Sequence, residues 1–332
     1  MKNNNNTIEC SASSPNGKFL NLSETRVIKK GASYADLLLA YFRNSKNSKP
    51  SGILPTMKSN LKELNSDAPI IIWFGHSSYL IHYKGFNILV DPVLNGCASP
   101  IPGLVKAYRG TDIYKFSDLP TIDALVITHN HYDHLDKRSI RKLRKKIRTY
   151  YVPLGVGKSV KNCHVNNLRI SEMDWWDTEI LAPDIKLIST PARHMSGRGL
   201  VQNKSLWSSY VLLLGKYKIF IGGDSGYDTH FKNIGDKFGS FDIAILECGQ
   251  YNENWPNIHM MPEETAQAAI DLNAKVLLPV HWGKFSLAHH SWNEPIIRLL
   301  QKNKQLNLEI TTPLIGQLVI VGRAYPNQKW WE

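Results

Sequence analysis

The chain reads as a layered α/β domain built on mixed β-sheets, and three observations lead there. From about Ala68 onward, short apolar runs end in loops rich in Gly, Pro, His and Asp, the pattern of buried strands handing over to surface turns. Helical patterns fall between several of these runs, as crossover connections require. The stretch "YVLLLGKYKIFI" around Gly215 has the form of a hairpin, so antiparallel pairing joins the crossovers.

Taken in order, residues 1–66 form an N-terminal extension and 67–332 the main domain. The extension opens on the low-complexity "KNNNN", continues to a short helical pattern in "SYADLLLAYF" from Ser33 to Phe42, and ends in the polar linker "RNSKNSKPSG". It lacks the apolar core of a secretory signal, and no run in the chain approaches the roughly 20 apolar residues that span a bilayer. Four scattered cysteines, Cys10, Cys97, Cys163 and Cys248, have no framework spacing and read as reduced thiols. The expected location is the cytoplasm, with peripheral contact to the inner face of the membrane left open.

The main domain then offers "IIIWFGHSS", "YLIHYKGFNILVDP" and "IDALVITHNH" as strands. The basic segment "KRSIRKLRKKIR" follows, from Lys137 to Arg148, with Ile140, Leu143 and Ile147 at helical spacing and cations around the rest of the circumference. Next come "IKLISTPARH", the Gly215 hairpin, "FDIAILECG", a helix in "MPEETAQAAIDLNA" with Pro262 in its first turn, and the strand "KVLLPVHWG". A net charge of +12 favours an anionic partner: nucleic acid, phosphorylated small molecule or anionic lipid surface. The basic segment has none of the interleaved aromatics of base-reading proteins, so it reads as a solvated face and no specific nucleic acid is expected.

The stretch "THNHYDHLD", Thr128 to Asp136, holds three histidines and two aspartates at the end of an apolar strand. Side chains alternate along a strand, so His129 and His131 point to one side and can hold one metal ion. Asp133 and His134, in the turn that follows, can reach a second. Two metal shells need more donors, and three later strand ends provide His194 in "TPARHMSGRG", Asp224 in "FIGGDSGYD" and His281 in "LPVHWGKF". Asp224, beside glycines that let the backbone come close, suits a carboxylate shared by both ions. Imidazole and carboxylate donors favour two Zn²⁺ ions, with other first-row divalent metals as alternatives.

With these residues in view, the chain resembles the metallo-β-lactamase superfamily of two-metal hydrolases. Within it the chain resembles the N-acylphosphatidylethanolamine-hydrolysing phospholipase D family and its bacterial relatives. The likeness runs over about residues 70 to 300, through "WFGHSSYLI", "LVDPVL", "THNHYDHLD", "EMDWWD", "PARHMSGRGL", "IGGDSGY", "HMMPEETA" and "HWGKFSLA". It implies an αβ/βα four-layer sandwich with two mixed β-sheets and the site at their upper edge. It also implies that His129, His131 and His194 hold one ion, that Asp133, His134 and His281 hold the other, and that Asp224 touches both. Departures fall in "ECGQYNENWPN", where Glu247, Cys248, Gln250, Glu253 and Asn254 replace a more apolar pattern carrying a basic residue, and in "IPGLVKAYRG".

The expected reaction is hydrolysis of a phosphodiester, with N-acylphosphatidylethanolamine-like lipid as substrate and phosphatidic acid and an N-acylethanolamine as products. Asp133 is expected to orient the attacking water, and His259 in "NIHMMPEE" to stabilise the developing charge or assist the leaving group. His76 and Asp91 are read as residues behind the ligands, since a metal-bound imidazole passes its other N–H to a carboxylate or carbonyl. His289 and His290 read as surface or lid residues, and Trp175, Trp176, Trp207 and Trp282 as core or pocket wall. Competing readings are a lactonase or phosphodiesterase on a soluble phosphorylated metabolite, and a nuclease or nucleic-acid-binding protein. A homodimer is compatible with all of them.

Overall fold

A computed structural model describes residues 10, 11, 13, 16–29, 47–101, 103–163, 169–199 and 201–332. The helix expected over Ser33 to Phe42 lies outside the described residues. Two sheets of seven strands dominate what is described. The first takes β1 (Ile70–Trp73), β2 (Tyr79–Tyr83), β3 (Phe86–Val90), β4 (Ile122–Val126), β5 (Ile147–Pro153), β6 (Arg169–Met173) and β14 (Leu318–Ile320), in the order β14-β1-β2-β3-β4-β5-β6. The second takes β7 (Thr178–Ala182), β8 (Ile185–Thr190), β9 (Ser209–Leu214), β10 (Tyr217–Ile221), β11 (Ile243–Glu247), β12 (Val276–Val280) and β13 (Glu309–Ile310), in the order β13-β12-β11-β10-β9-β8-β7.

Both sheets follow one plan. Strands β14, β1, β2 and β3 are antiparallel neighbours, then β3 to β6 run parallel. Strands β7 to β10 are antiparallel and β10 to β13 parallel. The helices carry the parallel crossovers: α1 (Lys137–Leu143) and α2 (Val156–Lys161) in the first half, and α3 (His230–Phe238), α4 (Pro262–Asp271) and α5 (Glu294–Asn303) in the second.

Apolar residues line both faces of the inner strands, so alternation sorts them into two cores. Ile71, Trp73, Ile81, Ile88, Val90 and Val126 meet Leu187, Tyr210, Leu212 and Ile219 of the second sheet. The residues between them, Ile70, Ile72, Leu80, Leu89 and Leu125, meet Ile140 and Leu143 of α1 and Val156 and Val160 of α2. Helices α3 to α5 cover the outer face of the second sheet through Phe231, Ile234, Ala266, Ala269, Ile296 and Leu299. The result is the four-layer αβ/βα sandwich.

The basic helix is shorter than its pattern. It begins at Asp136, whose carboxylate accepts the Arg138 and Ser139 N–H groups, and ends at Leu143. Ile147 belongs to β5 and pairs with Ile122. The run Ile147–Pro153 is rich in β-branched and aromatic residues, and it is needed as the link between β4 and β6, so strand pairing claims what helical spacing alone would extend. The apolar run from Tyr79 to Val90 is likewise two strands, folded at Lys84 and Gly85, both in the left-handed region. All four cysteines are free thiols, and no helix of the described residues is long and apolar enough to cross a membrane.

Helices α3 and α4 touch at Gly235, where a Cβ would collide with the Asp271 carbonyl and approach the Leu272 Cα to 2.9 Å. Intrinsic propensity favours alanine over glycine in a helix, but this backbone contact cannot yield. Gly235→Ala is therefore expected to lower stability by about 2 kcal/mol in denaturant unfolding, the cost typical of overpacking; a stabilised variant would mean the two helices are free to separate.

Candidate metal centre

The strands of each parallel set end at the same edge, so residues just past their C-terminal ends converge. His129, His131, Asp133 and His134 follow β4, His194 follows β8, Asp224 follows β10 and His281 follows β12. All seven come together. His129, His131 and His194 place one ligand atom each within 4.8 Å of one another, and so do Asp133, His134 and His281, joined there by His76. Asp224 reaches both groups. Its Oδ2 lies 3.7 Å from His129 Nε2 and 3.1 Å from His134 Nε2, while its Oδ1 lies 3.1 Å from His281 Nδ1.

Fixed partners aim these donors. The His194 Nδ1–H donates to the Ile258 carbonyl at 2.7 Å, which leaves Nε2 as a lone pair facing His131 Nδ1 at 3.3 Å. His129 Nε2 faces the same atom at 2.9 Å. On the other side Asp91 receives the Thr128 N–H and hydroxyl and holds His134 Nδ1 at 2.7 Å, turning Nε2 inward. Ser77 Oγ stands 2.8 Å from His281 Nδ1. His76 Nε2 reaches Asp133 Oδ2 at 3.0 Å from within the second donor group, while Asp91 stands behind His134. Three of these residues, His76, Asp91 and His281, have φ of 53°, 40° and 66°, a conformation that non-glycine residues adopt at a cost and that places their side chains at the strand mouths.

The electrostatics suit a cation. Burial first, then neighbouring imidazoles, hold His129 well below the usual histidine range; burial likewise holds His194 and His281 well below it and brings His131 down to about 4, so all four stay neutral and able to donate a lone pair. Burial alone would push Asp224 up, but His134 and His281 hold it well below the carboxylate range. Burial opposes charge on His134 too, yet the carboxylates of Asp224, Asp133 and Asp91 prevail and push it well up. The buried His134 Nε2 and Asp224 Oδ1 have no hydrogen-bond partner among the described residues. Ligand nitrogens around a tetrahedral ion at about 2.0–2.1 Å stand about 3.3 Å apart, the spacing of these rings. The donor set fits a pair of divalent ions.

His259 joins the cluster on one side of a cavity of about 220 Å³ lined also by His131, Asp133, Asp224, Gln250, Trp255 and His281. Its Nδ1 lies 2.6 Å from Oε2 of Glu247, a fully buried carboxylate at the end of β11 whose Oε1 accepts the Ser225 and Met260 N–H groups. Burial works against charge on His259, but Glu247 pushes it up to about 9; burial pushes Glu247 up to about 7. Sequence reading noted Glu247 only as a departure. It was discoverable, since it ends an apolar strand as Asp224 does. His290, expected at the surface or in a lid, accepts the Gln250 N–H at 2.8 Å and stacks on Tyr251, bracing the cavity wall. Trp175, Trp207 and Trp282 are core residues.

One further brace comes from far away in the chain. The Asn21 side chain donates to the His194 carbonyl at 2.8 Å and accepts the His194 N–H at 3.0 Å and the Trp207 indole N–H at 3.0 Å. Arg193 donates to the Glu24 carbonyl and Thr25 hydroxyl beside it.

A family model described as a β-lactamase superfamily domain matches residues 86–282. An uncharacterised protein of Mycobacterium tuberculosis is 36% identical over 289 residues, 86% of this chain and 77% of its own length. N-acyl-phosphatidylethanolamine-hydrolyzing phospholipase D 1 of Caenorhabditis elegans is 30% identical over 250 residues, 70% of this chain and 69% of that protein. The solved structure of Igni18, a metallo hydrolase of Ignicoccus hospitalis, shares the fold with a TM-score of 0.59 at 17% identity, covering 76% of this chain and 97% of its own.

Partners behind metal ligands typically contribute about tenfold or more to affinity. Asn21→Ala is accordingly expected to weaken Zn²⁺ binding about tenfold in competition with a chromophoric chelator; unchanged affinity would show that the rest of its loop suffices to hold His194.

Proposed function

Because the chain belongs to the metallo-β-lactamase superfamily of metal-dependent hydrolases, we propose that it is a binuclear zinc-dependent phosphodiesterase of phospholipase D type, acting on N-acylphosphatidylethanolamine-like lipids. The observation that carries this reading is the shared cavity, in which the histidine and aspartate donors and His259 face one another. Likeness to the phospholipase D of Caenorhabditis elegans supports the lipid part.

His129, His131, His194 and Asp224 would hold one zinc ion, and Asp133, His134, His281 and Asp224 the other. Bound there, such a pair supplies Lewis acidity and a hydroxide source at neutral pH. The chain's own groups do the rest. Asp133, held by His76, orients the water that attacks phosphorus. As the bond from phosphorus to the ethanolamine oxygen breaks, that oxygen must gain a proton. His259 stands ready to donate it, because the Glu247 carboxylate at its Nδ1 keeps the imidazole charged and aimed. Phosphatidic acid and N-acylethanolamine leave. A cavity of about 220 Å³ takes the headgroup and leaves the acyl chains outside it.

Glu247→Gln keeps the shape of the contact and removes the charge. It is expected to lower kcat about a hundredfold, the range of one general acid, with metal content unchanged. Asp224→Asn is expected to abolish turnover. Mass spectrometry of products from N-acylphosphatidylethanolamine in mixed micelles checks both. Release of N-acylethanolamine by the parent alone supports the lipid assignment, and its absence from a metal-loaded parent would exclude it and direct the search to soluble phosphodiesters.

A further inference from the structure

A larger cavity, of about 730 Å³, opens on the other side of the metal motif. Its walls come from residues 95–100 and 103–107, the exposed face of α1, the end of α2, and Tyr132 and Arg198. Tyr132 is the residue between His131 and Asp133, so this cavity shares the loop that carries the metal motif.

Its chemistry is one-sided. Five cations line it, Lys106, Lys137, Arg138, Arg141 and Arg198, against one carboxylate, Asp136. Asp136, whose oxygens accept backbone N–H groups at the start of α1, offsets only one of these five charges. None of the five forms an ion pair among the described residues. Arg198 is the least expected of them. It is largely buried, its guanidinium lies 4.2 Å from the Tyr132 ring centre, and its Nε and Nη1 have no hydrogen-bond partner among the described residues. Burying a guanidinium with unmet donors is costly unless an anion meets it.

The arginine is also fixed in place. The Tyr132 hydroxyl donates to the Arg198 carbonyl at 3.1 Å, and the Gly197 N–H donates to Asn130 Oδ1 at 2.8 Å, so both ends of the arginine's turn are tied to the metal motif. A preset guanidinium with free donors, ringed by four more cations, matches the charge and the fork geometry of a phosphate group.

We propose that this cavity is a second anion site that takes a phosphate group, distinct from the bond broken at the metal cluster. The proposal deepens the phosphodiesterase reading by adding a second anionic group to what the protein recognises, but its test needs no turnover. The phosphate can belong to a soluble ester or to a lipid headgroup; exposed Ile101 and Leu104 in the same loop would then face the lipid.

The test starts from crystals of the zinc-loaded protein soaked in tungstate, a phosphate-shaped anion with strong anomalous scattering. Density beside Arg198 and Arg141, in addition to any at the zinc ions, is the expected result; tungstate at the zinc ions alone would overturn the proposal. Arg141→Met and Arg198→Lys, each verified for zinc content and melting temperature, then separate the sources. Isothermal titration with glycerol 3-phosphate is expected to show about tenfold weaker binding in both variants if the ligand is soluble. Flotation with vesicles of phosphatidylglycerol in phosphatidylcholine is expected to show the loss instead if it is a lipid. Variants that match the parent in both arms would also overturn the site.

Discussion

The structure turns on a local electrostatic constraint: lone pairs and carboxylate oxygens are pressed together at a largely buried site that opens on the cavity beside His131 and Asp133. His129 Nε2, His131 Nδ1 and His194 Nε2 face one another at 2.9 and 3.3 Å, and Asp224 places its two oxygens against both donor groups. A proton on His134, favoured by the surrounding carboxylates, relieves only part of this crowding. Burial keeps most of these imidazoles neutral, and where the outer nitrogen gives its hydrogen to a fixed acceptor, as His194 Nδ1 does to the Ile258 carbonyl, the inward nitrogen is a bare acceptor. A divalent cation is what makes such a cluster favourable, and the surrounding bonds from Asp91, Thr128 and the Ile258 carbonyl are arranged so that the inward atoms stay bare.

The fold meets this constraint by geometry. Each sheet ends its parallel strands at one edge, and packing the two sheets face to face brings the two edges together. Donors separated by as much as the interval from His129 to His281 thus meet without a long loop to carry them. The same edge carries Glu247, which has no place in a ligand set of seven but holds His259 charged at the cavity wall. The candidate ligands and the carboxylate behind His259 therefore come from one structural rule, the strand mouth, and Asp224 and Glu247 differ in which neighbours each finds.

That rule explains what could be read from the sequence. The His129 to His134 motif is local, and strand alternation alone divides it between two sides. His194, Asp224 and His281 were legible because each closes an apolar run. Glu247 closes one too, but its role depends on His259, twelve positions later and across a turn, and a single sequence does not say that the two meet. Asn21 was out of reach, since its partner His194 lies 173 positions away and nothing local distinguishes that asparagine from its neighbours. Ile147 satisfies helical spacing and a strand equally, and only the need to join β4 to β6 decides. The common plan of the two sheets exists in the pairing and leaves no sequence repeat.

The central claim is that seven donors from four strand ends form a two-metal centre. Anomalous diffraction at the zinc edge on crystals of the protein purified in zinc-containing buffer tests it most directly. The account predicts two peaks, one among His129, His131 and His194 and one among Asp133, His134 and His281, with Asp224 touching both. A single peak, or none at these residues in a protein that is folded and crystalline, would contradict it.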